Sequence, residues 1–226
     1  MTSPDRKIVA VIPNHNESAT IGDVVRRIKE IVAEVVVVDD CSTDDTSAKA
    51  SAAGARVLQH ARNLGYDGSI NDGFAEAARL GADVIVTCDA DGQHRAEDLR
   101  AVCGPILRDD ADVVIGQRKA PKRCGERIFA LYTRHRFGID DPLCGLKAYR
   151  RTVYDIVGHF DTLKSVGTQL MAEAWLKGYR LKTVPVTVFP RRDESRFYAK
   201  LLRANLKILM AAWRIVKLSE RSRQTA

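Results

Sequence analysis

The sequence is poor in everything that would tie it to an oxidising compartment or to a bilayer. Its 226 residues include five cysteines, Cys41, Cys88, Cys103, Cys124 and Cys144. Their number is odd, their spacing is wide and no C-x-x-C pair occurs, which argues against both a disulfide framework and a zinc site. No run reaches the roughly 18 apolar residues of a membrane span. The polar start passes straight into a short apolar run, Ile8 to Ile12, without the h-region and cleavage site of a secretory signal. The expectation is a cytoplasmic protein in a reducing environment, neither secreted nor transmembrane. There is no internal repeat and no low-complexity segment. Nor is there any charge excess over the first 190 residues, where basic and acidic residues number 26 each. The whole net charge of +7 lies in residues 191–226, with ten Lys/Arg against three Asp/Glu. Such asymmetry points to an anionic partner, or to a solvated basic face without one.

What is present reads as one α/β domain. With 45% hydrophobic residues, a chain of this length buries one substantial core and falls short of two. Ile8 to Ile12, Glu34 to Asp39, Arg56 to Gln59, Asp83 to Cys88 and Val113 to Gly116 read as strands. Helical spacing covers Ile21 to Val32, Thr46 to Ala53, Asn71 to Leu80 and Ala96 to Leu107. This βαβα order implies a mostly parallel sheet with helices on both faces, whose ligands bind beyond the carboxyl ends of the strands. Gln117 to Gly125, rich in Lys, Arg, Pro and Gly, reads as a mobile loop. A helix over Glu126 to Phe137, a strand near Leu146 to Tyr149, a helix over Thr168 to Lys177 and a strand over Leu181 to Phe189 follow. A long helix, Phe197 to Leu218, closes the chain. Lys200, Arg203, Lys207, Arg214, Lys217 and Arg221 form one stripe on it, with Leu201, Leu202, Ile208, Leu209, Ala212, Trp213 and Val216 on the opposite side. The expected division is a catalytic domain over 1–196 and a basic amphipathic helix over 197–226.

Polar clusters fall at three strand ends. After the fourth strand, Asp89-Ala90-Asp91-Gly92-Gln93-His94 delivers two carboxylates one residue apart into a loop. A hard divalent cation takes oxygen ligands and keeps positions open for phosphate oxygens, which this spacing suits; a bare D-x-D is as often a solvated acidic turn. Pro13-Asn14-His15-Asn16-Glu17 ends the first strand and Asp39-Asp40-Cys41-Ser42-Thr43-Asp44 ends the second. Strand-end carboxylates can accept hydrogen bonds from a nucleoside base or from ribose hydroxyls. N-caps and Asx turns explain such residues about equally well.

Taken in order with Asn63-Leu64-Gly65 and Gly116-Gln117-Arg118, these clusters resemble the P-x-x-N-E, V-D-D-x-S-x-D, N-x-G and D-A-D-x-Q motifs of the family 2 glycosyltransferases of GT-A fold, over roughly residues 7–196. Asp141-Pro142-Leu143-Cys144-Gly145-Leu146 is similar to the D-x-x-S-G-F segment of the polyprenyl-phosphate sugar transferases in that family, dolichyl-phosphate mannose synthase among them. The resemblance implies a GT-A, Rossmann-like sheet. It implies an inverting transfer of sugar from a nucleoside-diphosphate sugar to a polyprenyl phosphate, dependent on Mg²⁺ or Mn²⁺. Pro13, His15, Glu17, Val37, Asp39, Asp40 and Ala90 would then line the donor pocket, and Asp89, Asp91 and Gln93 would bind the metal. Arg118, Arg127 and one of Arg191 or Arg192 would stand near donor and acceptor phosphates, which guanidinium grips two oxygens at a time.

The chain departs from that pattern in places. Asp67 and Gly68 stand where relatives carry small residues beside the donor. Gln169 occupies the place of a carboxylate general base, with Glu173 one turn on; an acceptor phosphate, already ionised, needs no base. The transmembrane helices of many relatives have no counterpart here. The closing helix is open to three readings: an interfacial helix on a membrane through residues 197–218, packing on the catalytic domain, or contact with a second subunit as a homodimer. Nucleic acid is not expected, because the stripe lacks interleaved aromatics. Two rival functions remain: transfer to a soluble small-molecule acceptor, and a nucleotidyltransferase. The latter would want a Gly-rich, basic phosphate loop where Pro13 to Glu17 has no Gly, Lys or Arg.

Overall fold

The computed structural model describes residues 6–119, 124–188 and 201–224. Among these residues seven strands form one sheet in the order β3-β2-β1-β4-β6-β5-β7. They are β1 (Ile8–Asn14), β2 (Glu34–Asp39), β3 (Arg56–Gln59), β4 (Val84–Thr87), β5 (Val113–Gln117), β6 (Lys147–Arg150) and β7 (Leu181–Pro185). All neighbours run parallel except β6, which is antiparallel to both β4 and β5. The expected α/β class and mostly parallel sheet are what the structure has. The runs Val9–Ile12 and Val35–Val38 are fully buried, as strands covered on both faces must be. Pro185 lies on the outer strand β7, where its missing N–H costs no ladder bond on the open side.

Among the described residues eight helices flank the sheet: α1 (Ile21–Lys29), α2 (Thr46–Ala52), α3 (Gly65–Arg79), α4 (Ala96–Leu107), α5 (Cys124–Phe137), α6 (Arg151–Val157), α7 (Gln169–Leu176) and α8 (Leu201–Gln224). Helix α3 lies flat on β1 and β2 because a Cβ on Gly73 would collide with Val11 Cγ1 and come within 3.2 Å of Val38 Cγ2. Its Phe74 meets Phe160 at 4.6 Å and Tyr149 at 5.6 Å between ring centroids. Each such pair contributes about 0.5–1.5 kcal/mol beyond burial.

Three elements differ from the sequence reading. Helix α3 begins at Gly65, six residues before the expected Asn71, because Asp40, just past the end of β2, caps it: its carboxylate accepts from Leu64 N at 2.7 Å and Gly65 N at 2.8 Å. Helix α6 was not expected; it is a short turn of helix stopped by Gly158 in the left-handed region, φ 81°. Helix α8 rests on α5 and α7 through Ala204, Ile208, Ala211, Ala212 and Ile215. That face is rotated from the expected one, so Leu209 and Trp213 are exposed. Small residues are chosen because the helices approach closely: a Cβ on Gly125 would stand 3.2 Å from the Asn205 carbonyl oxygen. Among the described residues no helix is long and apolar enough to cross a membrane.

Candidate functional site

The carboxyl ends of β1, β2 and β4 lie side by side, so the three polar clusters share one rim. Asn14 and Asp39 are partners in the β1–β2 register. Asp39 is fully buried, and its carboxylate accepts from Ser42 N at 3.0 Å and from the Ser47 hydroxyl on α2. Asp40, beside it, is consumed by structure: besides capping α3 it accepts from His60 Nδ1 at 2.9 Å. Its carbonyl oxygen takes His15 Nδ1 at 2.8 Å, which fixes the ring at the rim. Glu17 holds the start of α1, its carbonyl accepting from Thr20 N at 3.1 Å and Ile21 N at 3.0 Å. Pro13 is half-buried at the end of β1, whereas Val37 is a core side chain with no exposed surface. Among the described residues the buried Asn14 amide has no hydrogen-bond partner for its oxygen or its nitrogen, an expensive arrangement that bound ligand or solvent normally relieves.

Beyond β4 the chain turns out of the sheet. Asp89 leaves 35% of its side chain exposed at the strand tip. Asp91 Oδ1 accepts from Gln93 N at 3.0 Å, and the buried Ala90 gives its carbonyl to the Thr20 hydroxyl at 2.8 Å, tying the turn to α1. The cradle for Asp89 is Gly145: a Cβ there would lie 2.5 Å from Asp89 Cγ and 2.6 Å from Oδ1. Thr87 holds that glycine in place, its hydroxyl donating to Gly145 O at 2.6 Å. Among the described residues no three His, Cys, Asp or Glu side chains converge as a metal cage. Paired carboxylates at an open tip nevertheless fit a hard cation that takes its other ligands from phosphate oxygens and water.

The segment from Asp141 to Gly145 runs from this cradle to a second feature. Asp141, 3% exposed, grips Arg118 edge-on, with Nε and Nη2 each 2.7 Å from a carboxylate oxygen. Glu126 on α5 lies 3.5 Å from Nη2. Arg118 forms part of the wall of a cleft of about 600 Å³ together with Lys119, Arg127, Arg134, Ile128 and Leu131. Arg134 is paired with Asp140 at 2.6 Å, while Arg127 is exposed. The structure thus brings Arg118 and Arg127 to one cleft; Arg191 and Arg192 lie outside the described residues, as do residues 120–123 of the expected loop, whose ends Gln117 and Cys124–Gly125 belong to β5 and α5.

The sequence reading overlooked an interior network beneath the rim. Lys147, 2% exposed, donates from Nζ to Gly167 O at 2.6 Å, and burial lowers its pKa to about 8, against the pull of Cys144, Asp141, Asp161 and Asp89. Asp67 accepts from Gly167 N at 3.1 Å; burial and the neighbouring Asp161 push its carboxyl up to about 6. The loop between them is strained, with Lys164 and Val166 at φ 54° and 56°. It is braced by Asp161, which accepts from Ser165 N and Gly167 N, and by Gln169 Oε1, which takes Thr162 N at 2.7 Å and Leu163 N at 2.9 Å. Gln169 also donates to Glu173 at 2.6 Å, so that carboxylate holds the bracing amide in place. Asp67, Gln169 and Glu173 stand out in the sequence for other roles; the further signal for this network is a lysine inside an apolar strand pattern.

Residues 9–162 match the sequence description of Glycosyl transferase family 2. The undecaprenyl-phosphate mannosyltransferase of Micrococcus luteus is 28% identical over 208 residues, covering 82% of this chain and 84% of that one. The UDP-N-acetylglucosamine–dolichyl-phosphate N-acetylglucosaminyltransferase of Methanococcus voltae is 33% identical over 137 residues, 52% of this chain and 55% of that one. In structure, glucosyl-3-phosphoglycerate synthase from Mycobacterium tuberculosis, solved with Mn²⁺, UDP and phosphoglyceric acid, superposes with a TM-score of 0.72 at 22% identity, over 93% of this chain and 79% of that one. That likeness extends the GT-A fold to the whole sheet. With its strand-end motifs gathered on one rim and two thirds of its length matched, the chain belongs to glycosyl transferase family 2.

Proposed function

We propose that this enzyme moves a sugar from a nucleoside-diphosphate donor to a polyprenyl phosphate, with inversion at the anomeric carbon. The observation that carries the reading is the Asp141–Gly145 segment, one end of which seats Asp89 while the other orients Arg118 at a cationic cleft. Asp89 and Asp91, with Gln93, would hold Mg²⁺ or Mn²⁺, which neutralises charge on the departing diphosphate. Pro13, His15, Glu17 and Asp39 line the nucleoside side of the rim, with Ala90 and the buried Val37 behind them. Arg118 and Arg127 receive the acceptor phosphate, whose oxygen forms the new bond to the anomeric carbon as the old bond to diphosphate breaks. That oxygen is already ionised at neutral pH, so no general base is required. Electrostatic groups of this kind are worth about 3–4 kcal/mol each in the transition state.

The lipid-borne acceptor is supported by apolar side chains left in the open: Ile128 at 52% and Leu131 at 69% on α5, and Leu206, Met210 and Trp213 on α8. Lys217 stacks its ammonium 3.9 Å from the Trp213 ring, pairing a cation with an interfacial aromatic. The relatives named for dolichyl and undecaprenyl phosphates agree with this reading. A soluble phosphate acceptor is the second reading, favoured by the phosphoglyceric acid in the structural neighbour. The test is transfer of radiolabelled sugar from UDP- and GDP-sugars, with and without chelator, to undecaprenyl phosphate in anionic vesicles and to 3-phosphoglycerate in solution. Label entering the lipid extract, and lost with EDTA, is expected; label entering only the soluble phosphate would select the second reading. Leu131→Glu combined with Trp213→Glu should cut co-sedimentation with the vesicles several-fold.

A further inference from the structure

His94 closes the turn that carries Asp89 and Asp91. Its side chain is 4% exposed, Nε2 stands 3.9 Å from Asp89 Oδ2, and Nδ1 is buried with no hydrogen-bond partner among the described residues. A neutral imidazole carries one proton on one of its two nitrogens. A lone pair on Nε2 would face an anionic oxygen, whereas an N–H on Nε2 points at it, so the electrostatics place the proton on Nε2. The gap is about 1 Å longer than a hydrogen bond, so the bond forms only when the imidazole and the carboxylate close by that amount. On the far flank the Asp89 carboxylate meets the backbone of Gly145. The carboxylate therefore sits between the Gly145 backbone and an imidazole that can donate. An imidazole with an orphaned nitrogen is also a poor choice for a purely structural position, since a leucine would fill similar space and leave nothing unsatisfied.

We propose that His94 is the positioning residue for the cation-binding carboxylate: its Nε2–H donates to the Asp89 oxygen turned away from the cation and fixes the orientation in which the other oxygen is offered. This rests on the reading of Asp89 and Asp91 as the cation site. Groups that hydrogen-bond metal-ligating carboxylates typically change metal affinity by about 10- to 100-fold when removed.

The experiment is a Mn²⁺ titration followed by the electron paramagnetic resonance of the free aqua ion. It uses the full chain with UDP or GDP, whichever raises the wild-type melting temperature. Wild type, His94→Leu and His94→Gln are compared. The leucine variant should bind Mn²⁺ about 10- to 100-fold more weakly while its metal-free melting temperature stays at or above that of wild type. The glutamine variant, whose amide can donate, should recover affinity to within about 5-fold of wild type. Equal affinity in wild type and leucine variant overturns the proposal and leaves the cation site standing. So does equal loss in both variants, or ¹⁴N modulation showing imidazole bound directly to Mn²⁺. Absence of Mn²⁺ uptake by wild type itself overturns the cation site and the proposal together.

Discussion

Gly145 and Asp89 touch so closely that a methyl group on the glycine would occupy the space of the carboxylate. The contact joins the antiparallel strand β6 to the tip of β4, and it makes the position of the proposed cation ligand depend on a residue 56 positions away. Gly145→Ala should leave the far-ultraviolet circular dichroism unchanged and reduce transfer by about 100-fold or more, since a misplacement of about 1 Å at a reacting centre costs that much. Turnover within a few-fold of wild type would show that Asp89 need not occupy this cradle.

Arg118 is held by Asp141 through a two-pronged contact at 2.7 Å. Lysine cannot reproduce that fork. Arg118→Lys is therefore expected to lower kcat/KM for the acceptor by about 100-fold, with the melting temperature little changed. An unaltered acceptor KM and kcat would remove Arg118 from the phosphate path.

Asp40 caps a helix 24 residues further along the chain and also receives His60. Asp40→Ala should cost about 2–4 kcal/mol in urea unfolding, combining a lost cap with buried donors left unpaired. A loss below about 0.5 kcal/mol would mean that the loop finds its own caps.

Asp67 sets a pH dependence of known sign. Its folded-state pKa of about 6 lies above the ordinary 3.8, so between those values the folded chain keeps a proton that the unfolded chain has released. This contribution to stability is fully present below the lower value and is lost as pH rises through the upper one. Asp67→Asn removes the loss. The variant should gain on wild type by on the order of 1–2 kcal/mol between pH 4 and pH 7.5, after allowance for solvent screening. A difference independent of pH would refute the shared burial of Asp67 and Asp161.

Most of the sheet was legible because buried parallel strands announce themselves as unbroken Val and Ile runs, such as Val35 to Val38. The strand-end motifs were legible for the same reason: they follow those runs directly. What stayed hidden involves partners far apart in sequence. Nothing near Gly65 reveals that Asp40 will cap α3, and nothing near Cys144 reveals that Gly145 backs onto Asp89. The closing helix misled in a different way. Its largest apolar residues suggested the buried face, whereas close helix packing selected the alanines and left Trp213 outside. Lys147 went unnoticed because a lysine in a strand ordinarily faces water, and here the 161–168 loop covers it.

Asp89 and Asp91 are proposed to hold a divalent cation together against the donor's diphosphate. The most direct measurement is an anomalous difference map from a crystal soaked with Mn²⁺ and the nucleoside diphosphate that most raises the melting temperature. A peak within about 2.0–2.2 Å of oxygens from both aspartates and of the diphosphate is the predicted result. Nucleotide bound on the rim with no peak at that turn would contradict the account.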